Sequence, residues 1–342
     1  MKNKVNIYQR RFFYTLGLSF LIICLNGILI LAAENGHTNR IETFYDDDDN
    51  IQRLVRYYPE ERSKRQGFYK TVTYYNQNGV KDRTVKHYTD NAAKKLGFYE
   101  DIVYFDKSGK RLKIENIYIE KIVEKLGTKR SIKYLTSKKD KNKIVKIEKF
   151  ASEEKFKESG EFKRFKYLDG GGHRIKEELF YSLNKNSESD FFRVILHYNK
   201  DEKVVRKETF YPEKEANKLG YQKSIFHYDN ENHKKKEEWF LTEKFASKER
   251  ITKVVYYFDK NGREIMQEGY YTKEKSNDSG YYKSVYYHDR NGRKIKEERY
   301  YLPEKAKDGR YLGIAYFDKW GSQTREEIYN KNNKLIEKTT PY

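Results

Sequence analysis

Apolar and polar positions alternate along most of this chain with a period of two, and the alternating block itself recurs about every 30 residues. The clearest copy runs from Gly280 to Gly309. Tyr281 to His288 is rich in aromatic and β-branched residues, and a second β-type run extends from Arg293 to Tyr301. The period of two puts successive side chains on opposite faces of a strand. Asp289-Arg290-Asn291-Gly292 separates the two runs. Asp at the first turn position and Gly at the fourth predict a hairpin closed by a type I turn, a left-handed residue and a bulge. Gly is needed at the end of the turn because a Cβ is strained at positive φ. The equivalent turn glycines are Gly79, Gly109, Gly172, Gly262, Gly292 and Gly321.

Units begin at Gly67, Gly97, Gly127, Gly160, Asp190, Gly220, Arg250, Gly280 and Arg310, stepping by 30 residues except for one step of 33 after Gly127. Phe44-Tyr45-Asp46 marks a partial unit 30 residues before Tyr74-Tyr75-Asn76. A fixed period of this size signals a repeat architecture. Each hairpin ends in a polar stretch such as Leu302 to Gly309, enough for a loop or one helical turn. A lone hairpin is marginally stable, so neighbouring units must stack.

The expected fold is mainly β: an elongated array of about nine hairpin repeats, roughly eighteen antiparallel strands in a meander or open solenoid, with one apolar helix at the N-terminus. The divisions are a leader over 1–33, a linker over 34–43, a partial repeat over 44–66, repeats one and two over 67–126, a degraded repeat three over 127–159, repeats four to eight over 160–309, and repeat nine with a cap over 310–342. Repeat three is degraded because its turn region, Thr136 to Lys143, has no Gly.

Strict alternation assigns faces. Val285 and Tyr287 share a face with Tyr281, and Ile295 lies across the turn near Tyr287. Ser284, Lys294, Lys296 and Glu298 go to the other face. A column of tyrosines results, with Tyr74, Tyr104, Tyr167, Tyr257, Tyr287 and Tyr316 as the candidate binding residues. His197 and His227 replace tyrosine in that column, where packing explains them better than ligation.

Composition changes this picture in one respect. Hydrophobic content of 37% and charged content of 36% would suit a disordered chain. The 33 tyrosines and 20 phenylalanines, placed regularly, supply buried area in every unit instead. The core is expected to be a thin strip.

Lys2, Lys4, Arg10 and Arg11 precede an uncharged run from Phe12 to Ala33. This reads as an export signal, with Leu31-Ala32-Ala33 as a cleavage site, or as a retained membrane anchor through residues 12–33. Either way the repeats would be exported, to a secreted, periplasmic or cell-surface location. Cys24 is the only cysteine, so no disulfide supports the repeats. Asp46 to Asp49 is an acidic run that suggests a cation site, but it occupies a turn position and lacks the spacing of a calcium loop.

The string from Val285 to Tyr301, and Tyr256-Tyr257-Phe258-Asp259-Lys260-Asn261-Gly262-Arg263, resemble two bacterial repeat families. One is the tyrosine–aspartate (YD/RHS-type) repeat and the other is the MORN-like repeat. The resemblance spans residues 44 to about 330. It implies a β-hairpin array on an exported or interacting protein and fixes no ligand.

No catalytic, cofactor or metal constellation stands out. The chain has no HExxH, no phosphate-binding glycine loop and no G-x-S-x-G. The pairs Glu177/Glu178, Glu237/Glu238 and Glu297/Glu298 imitate paired catalytic acids, yet they recur where an active site is normally unique. A formal charge of +20 remains. If the repeats are exported, nucleic acid is an unsuitable partner, and a protein, a glycan or an anionic envelope polymer is expected along a tyrosine- and lysine-rich β surface. The alternative from another class is an envelope scaffold whose array is a spacer without a ligand. A binder should show exposed residues that agree from repeat to repeat on one face, and a spacer should not.

Overall fold

The computed structural model describes residues 21–25, 28–32, 39–136, 143–182, 190–304 and 309–340. It is mainly β, and every strand pair in it is antiparallel. The chain resolves into two compact units, the first ending at Leu112 and the second beginning at Lys113.

In the first unit the strands are β1 (Leu21–Leu25), β2 (Ile28–Ala32), β3 (Arg40–Tyr45), β4 (Ile51–Tyr57), β5 (Phe68–Tyr75), β6 (Lys81–Tyr88) and β7 (Phe98–Phe105). Helix α1 (Glu60–Gln66) follows β4, and α2 (Asp90–Leu96) follows β6. Strand β8 (Arg111–Tyr118) straddles the boundary.

The second unit continues with α3 (Glu120–Leu126), β9 (Thr128–Leu135), β10 (Ile144–Ala151), α4 (Glu153–Ser159), β11 (Glu161–Leu168), β12 (Arg174–Tyr181), β13 (Arg193–Tyr198) and β14 (Val204–Phe210). It goes on through α5 (Glu213–Leu219), β15 (Tyr221–Tyr228), β16 (Lys234–Leu241), α6 (Glu243–Glu249), β17 (Ile251–Phe258), β18 (Glu264–Tyr271) and α7 (Lys273–Ser279). It ends with β19 (Tyr281–His288), β20 (Lys294–Tyr301), β21 (Arg310–Phe317), β22 (Gln323–Asn330) and β23 (Leu335–Thr339).

The turns explain why the hairpins form where they do. In the Asp289 turn, Gly292 N–H donates to the Asp289 carbonyl at 3.0 Å, and Asp289 N–H to the Arg293 carbonyl at 2.9 Å. The Asp289 Oδ1 accepts the amides of Asn291 and Arg293 at 2.8 and 3.0 Å, which is why the turn opens on Asp or Asn. Gly292 sits at φ 76°. Asp46 to Asp49 forms the same turn, with Asp49 at φ 64° in the glycine position. The Asp46 carboxylate is held by turn amides.

The polar stretch between hairpins forms a helix of seven residues in α1 to α7, whereas residues 303–304 after β20 make a turn. Thr89, Ser152, Thr242 and Thr272 cap its start through their hydroxyls, and a left-handed residue such as Gly97 at φ 87° ends it. A second bond ties the helix to its hairpin: Thr89 N–H donates to the Gly67 carbonyl at 2.9 Å, and Thr272 N–H to Arg250 at 3.0 Å.

Three expectations change. The apolar run was expected to be a helix; its described residues form β1 and β2, paired with each other and then with β3, while residues 12–20, 26, 27 and 33 lie outside the described residues. The free edge of β3 offers unpaired backbone groups, and leucine- and isoleucine-rich segments suit that pairing as well as a helix. Strands number 23 among the described residues rather than about eighteen, because the apolar run gives β1 and β2, the partial repeat is a complete hairpin, and the cap adds β23. The turn of the degraded repeat falls largely at 137–142, outside the described residues, but its two strands pair normally. Among the described residues, no helix is long and apolar enough to cross a membrane.

Bulges correct the face assignment. In β19 and β20, Tyr281 pairs with Tyr301 and Lys283 with Tyr300, so Tyr282 is an extra residue; Tyr287 pairs with Lys296 and His288 with Lys294, so Ile295 is another. A bulge adds one residue and reverses parity beyond it. Tyr281 therefore lies opposite Val285, packed edge-on against Tyr301 and Tyr271. Lys296 and Glu298 join the face of Val285 and Tyr287, and Ile295 is exposed.

Candidate interaction face

The first face, the one carrying Val285 and Tyr287, consists of three cross-strand rows in the second unit. The row nearest the turns runs Lys146, Tyr167, Lys176, His197, Arg206, His227, Lys236, Tyr257, Met266, Tyr287, Lys296, Tyr316, Arg325. Ring and base alternate, and only Met266 breaks the rule. The central row alternates glutamate with an apolar residue: Glu178, Ile195, Glu208, Ile225, Glu238, Val255, Glu268, Val285, Glu298, Ile314, Glu327. The row nearest the helices alternates base and ring again, as in Lys253, Tyr270, Lys283, Tyr300.

These glutamates are buried, and each is neutralised within the sheet. Glu178 is held by Lys176 and Arg193 at 2.6 and 2.7 Å, and Glu208 by Arg206 and Lys223 at 2.8 and 2.7 Å. Glu238 is held by Lys236 and Lys253 at 3.1 and 2.5 Å, with His227 Nε2 at 2.9 Å. Burial alone would raise the Glu238 carboxyl, but the hydrogen bonds from Lys253, Lys236 and His227 outweigh it and hold it at about 2. Where Met266 replaces the base, Glu268 keeps Lys283 at 2.9 Å and adds the Tyr270 hydroxyl at 2.7 Å.

The tyrosine column named from the sequence is part of this ladder. Lys296 Nζ sits 3.9 Å from the Tyr287 ring centroid, Lys236 5.5 Å from Tyr257, Lys176 5.0 Å from Tyr167, Arg325 4.0 Å from Tyr316 and Arg83 4.2 Å from Tyr74. All six column tyrosines, Tyr104 among them, are half-buried. Burial raises the Tyr287 hydroxyl to about 12, with Glu298 adding to the effect. The column's ring faces are thus largely taken up by bases of this chain. Tyr74 also lines a cavity of about 720 Å³ between the first two turns, with Phe44, Arg53, Gln52 and Gln77. Tyr257 lines one of about 270 Å³ between the Asp229 and Asp259 turns.

The carboxylate pairs lie on opposite faces. Glu298 faces the ladder, whereas Glu297 lies behind it, bonded to Arg299 and Lys294 at 2.8 and 3.1 Å. Glu237 likewise sits behind, accepting from Trp239 Nε1 at 2.6 Å. Consecutive strand residues diverge, so these pairs do not converge on one substrate atom.

The residues missed by strict alternation are those at the bulges nearest the helices. Phe162, Tyr282 and Tyr311 are extra residues in β11, β19 and β21, and Phe192 stands at the corresponding place before β13. Phe162 rests against Phe180, Phe192 against Phe210 and Tyr282 against Tyr300, all on the first face. In the first unit Tyr69 is the extra residue of β5, and Tyr99 has the same place in β7. All six are exposed, Tyr282 by 37% and Tyr311 by 39%. The sequence held a signal in its aromatic doublets, such as Tyr281-Tyr282, which two-fold alternation does not explain.

The fold and this face define a class, the antiparallel β-hairpin repeat protein. No family model matches the chain, and no curated relative matches it. Among solved structures, TcdB2–TccC3 without its hypervariable C-terminal region aligns over 93% of this chain and 19% of that one, at 10% identity and a TM-score of 0.15. This chain therefore spans about a fifth of that structure's length.

Proposed function

We propose that the chain is a non-enzymatic repeat protein that binds an extended partner, a protein or a glycan, along the helix-side margin of its first face. One observation carries this reading: the exposed aromatic at the helix-side bulge recurs as Tyr69, Tyr99, Phe162, Phe192, Tyr282 and Tyr311. The fold does not require it, because Gln222 and Thr252 occupy the same bulge in β15 and β17. Recurrent rings turned toward water offer flat apolar contacts at repeat spacing, suited to sugar rings or to side chains of an extended peptide. The bases of this face favour such partners over an anionic polymer, since each polyanion contact would have to displace a glutamate already at salt-bridge distance. Export, by signal or anchor, is part of the same proposal.

A glycan array and an interaction screen on the repeats test it, followed by Tyr282→Ser and Tyr311→Ser. Both side chains are exposed, so the melting temperature should hold while saturable binding falls at least tenfold. Binding indifferent to both changes removes the margin as the site. Gln222 and Thr252 interrupt the aromatic row and favour the spacer scaffold as the second reading; absence of any saturable ligand would select it.

A further inference from the structure

The turn tips at the far ends of the strands carry an anomaly that neither the fold nor the ladder face explains. Two residues after the opening Asp or Asn, the turns have Ser108, Gly171, Asp201, Glu231, Asn261 and Asn291, small or polar in every case. The Asp318 turn has Trp320 there, 78% exposed, the most exposed large hydrophobic side chain among the described residues. Its backbone N–H serves the turn, donating to Asp318 Oδ1 at 2.8 Å as Asn291 does to Asp289. Among the described residues no ring packs on the indole, and Lys319 Nζ lies 4.6 Å from it.

One residue earlier in the same turns stand Lys200, Lys260, Arg290 and Lys319. All four are exposed, and among the described residues none has a carboxylate within salt-bridge distance. The nearby carboxylates of Asp259, Asp289 and Asp318 accept turn amides, and the first two are also paired with Arg263 and Arg293. The Asp259, Asp289 and Asp318 turns belong to consecutive hairpins, so Lys260, Arg290 and Lys319 recur about every 10 Å across the sheet. Equivalent positions hold Asp47, Gln77 and Lys107 in the first unit and Gly170 and Asn230 in the second.

We propose that this rim of the second unit docks on an anionic lipid surface, with Trp320 entering the headgroup layer and Lys260, Arg290 and Lys319 meeting lipid phosphates. Tryptophan suits that layer because its ring is apolar and its N–H still finds a partner there. A row of exposed cations without carboxylate partners complements a planar negative surface, where no concave pocket is needed. An acidic polypeptide is the competing occupant and is decided by the test.

The test uses the full chain with vesicles of phosphatidylglycerol or of phosphatidylcholine, reading tryptophan emission alongside sedimentation. The apolar run at 12–33 can itself enter vesicles, so the decisive signals are a Trp320-dependent blue shift and the preference for the anionic lipid. The expected result is a blue shift with phosphatidylglycerol only, weakened by salt and absent in Trp320→Ser, in which Trp239 still reports the fold. Lys260→Ala, Arg290→Ala and Lys319→Ala should each lower charge-dependent partitioning about fivefold. No shift, an equal shift with phosphatidylcholine, or a shift that survives in Trp320→Ser overturns the proposal. So does a Trp320-dependent shift produced by polyglutamate and not by vesicles.

Discussion

The two units are built from the same hairpin and the same turns, yet they fill the centre of the first face differently. In the first unit the central row runs Glu42, Val55, Val72, Val85 and Ile102, one buried glutamate followed by four aliphatic residues in succession, with Phe44, Tyr57 and Tyr74 packed against them. In the second unit every other place in that row is a buried glutamate. The difference teaches that the hairpin needs its centre covered and neutral, and that either chemistry will do. The apolar row needs only volume. The ionic row needs at least one base in register with each glutamate, on its own strand or on the next, and commonly has both. That explains how a chain with 36% charged residues folds: much of the charge is internal to the sheet.

The sharpest way to break the comparison is to put the second unit's solution into the first. Val85→Glu would find Arg83 on its own strand, but on β7 it would meet Glu100 where the second unit offers a lysine. A buried charge left uncompensated costs about 3–5 kcal/mol, so denaturant titration should show a large loss or outright unfolding of the first unit. The reverse exchange sharpens the point. Glu238→Val alone strands Lys236 and Lys253 and should destabilise, whereas Glu238→Val with Lys236→Met and Lys253→Met should be near neutral. If the triple variant is as unstable as the single one, the ion ladder is not interchangeable with an apolar row.

Acid should separate the units next. The Glu178, Glu208, Glu238 and Glu298 carboxyls are all held below their ordinary value, Glu238 at about 2. A depressed carboxyl stabilises the fold above its unfolded pKa and loses that contribution as pH falls through the folded one, here between about pH 4.5 and 2. In the first unit burial raises the Asp101 carboxyl, and Lys86 offsets this only in part. That group opposes folding when ionised and ceases to do so as pH falls through its raised pKa. Hydrogen exchange from pH 6 to 2.5 should therefore show strands β13–β20 opening before β4–β6. Simultaneous opening, or the opposite order, contradicts the assignment of the two chemistries.

The smallest effects concern glycines. Gly269 lies mid-strand in β18 without positive φ, and a Cβ there would meet nothing within 4 Å. Gly269→Ala should stabilise by about 0.5–1 kcal/mol through the unfolded chain. Gly292→Ala, at φ 76°, should cost about 1–2 kcal/mol. Paired melting curves decide both signs.

Much of the fold was legible because it is local. Period-two alternation, an Asp-x-x-Gly turn and a polar connector each act within about ten residues, and the 30-residue step multiplies the signal. The candidate site was legible only in part. Tyr287 and Tyr257 are on the expected face, but their rings are covered by Lys296 and Lys236, which strict alternation placed behind them. Tyr282 passed unremarked beside Tyr281 because a bulge changes pairing without interrupting the local pattern. Glu297 and Glu298 show the same limit: adjacent in sequence, they serve different faces.

The sequence by itself determined that this chain is a tandem of β-hairpins, where each turn falls and which residues recur, since those depend on backbone chemistry within one unit. The tertiary structure alone decided which side chains meet. Register across a pair of strands is set by where the extra residue lodges, and every bulge reverses the faces beyond it. From that reversal come the pairing of each buried glutamate with its bases, the covering of the tyrosine column and the exposed row of bulge aromatics.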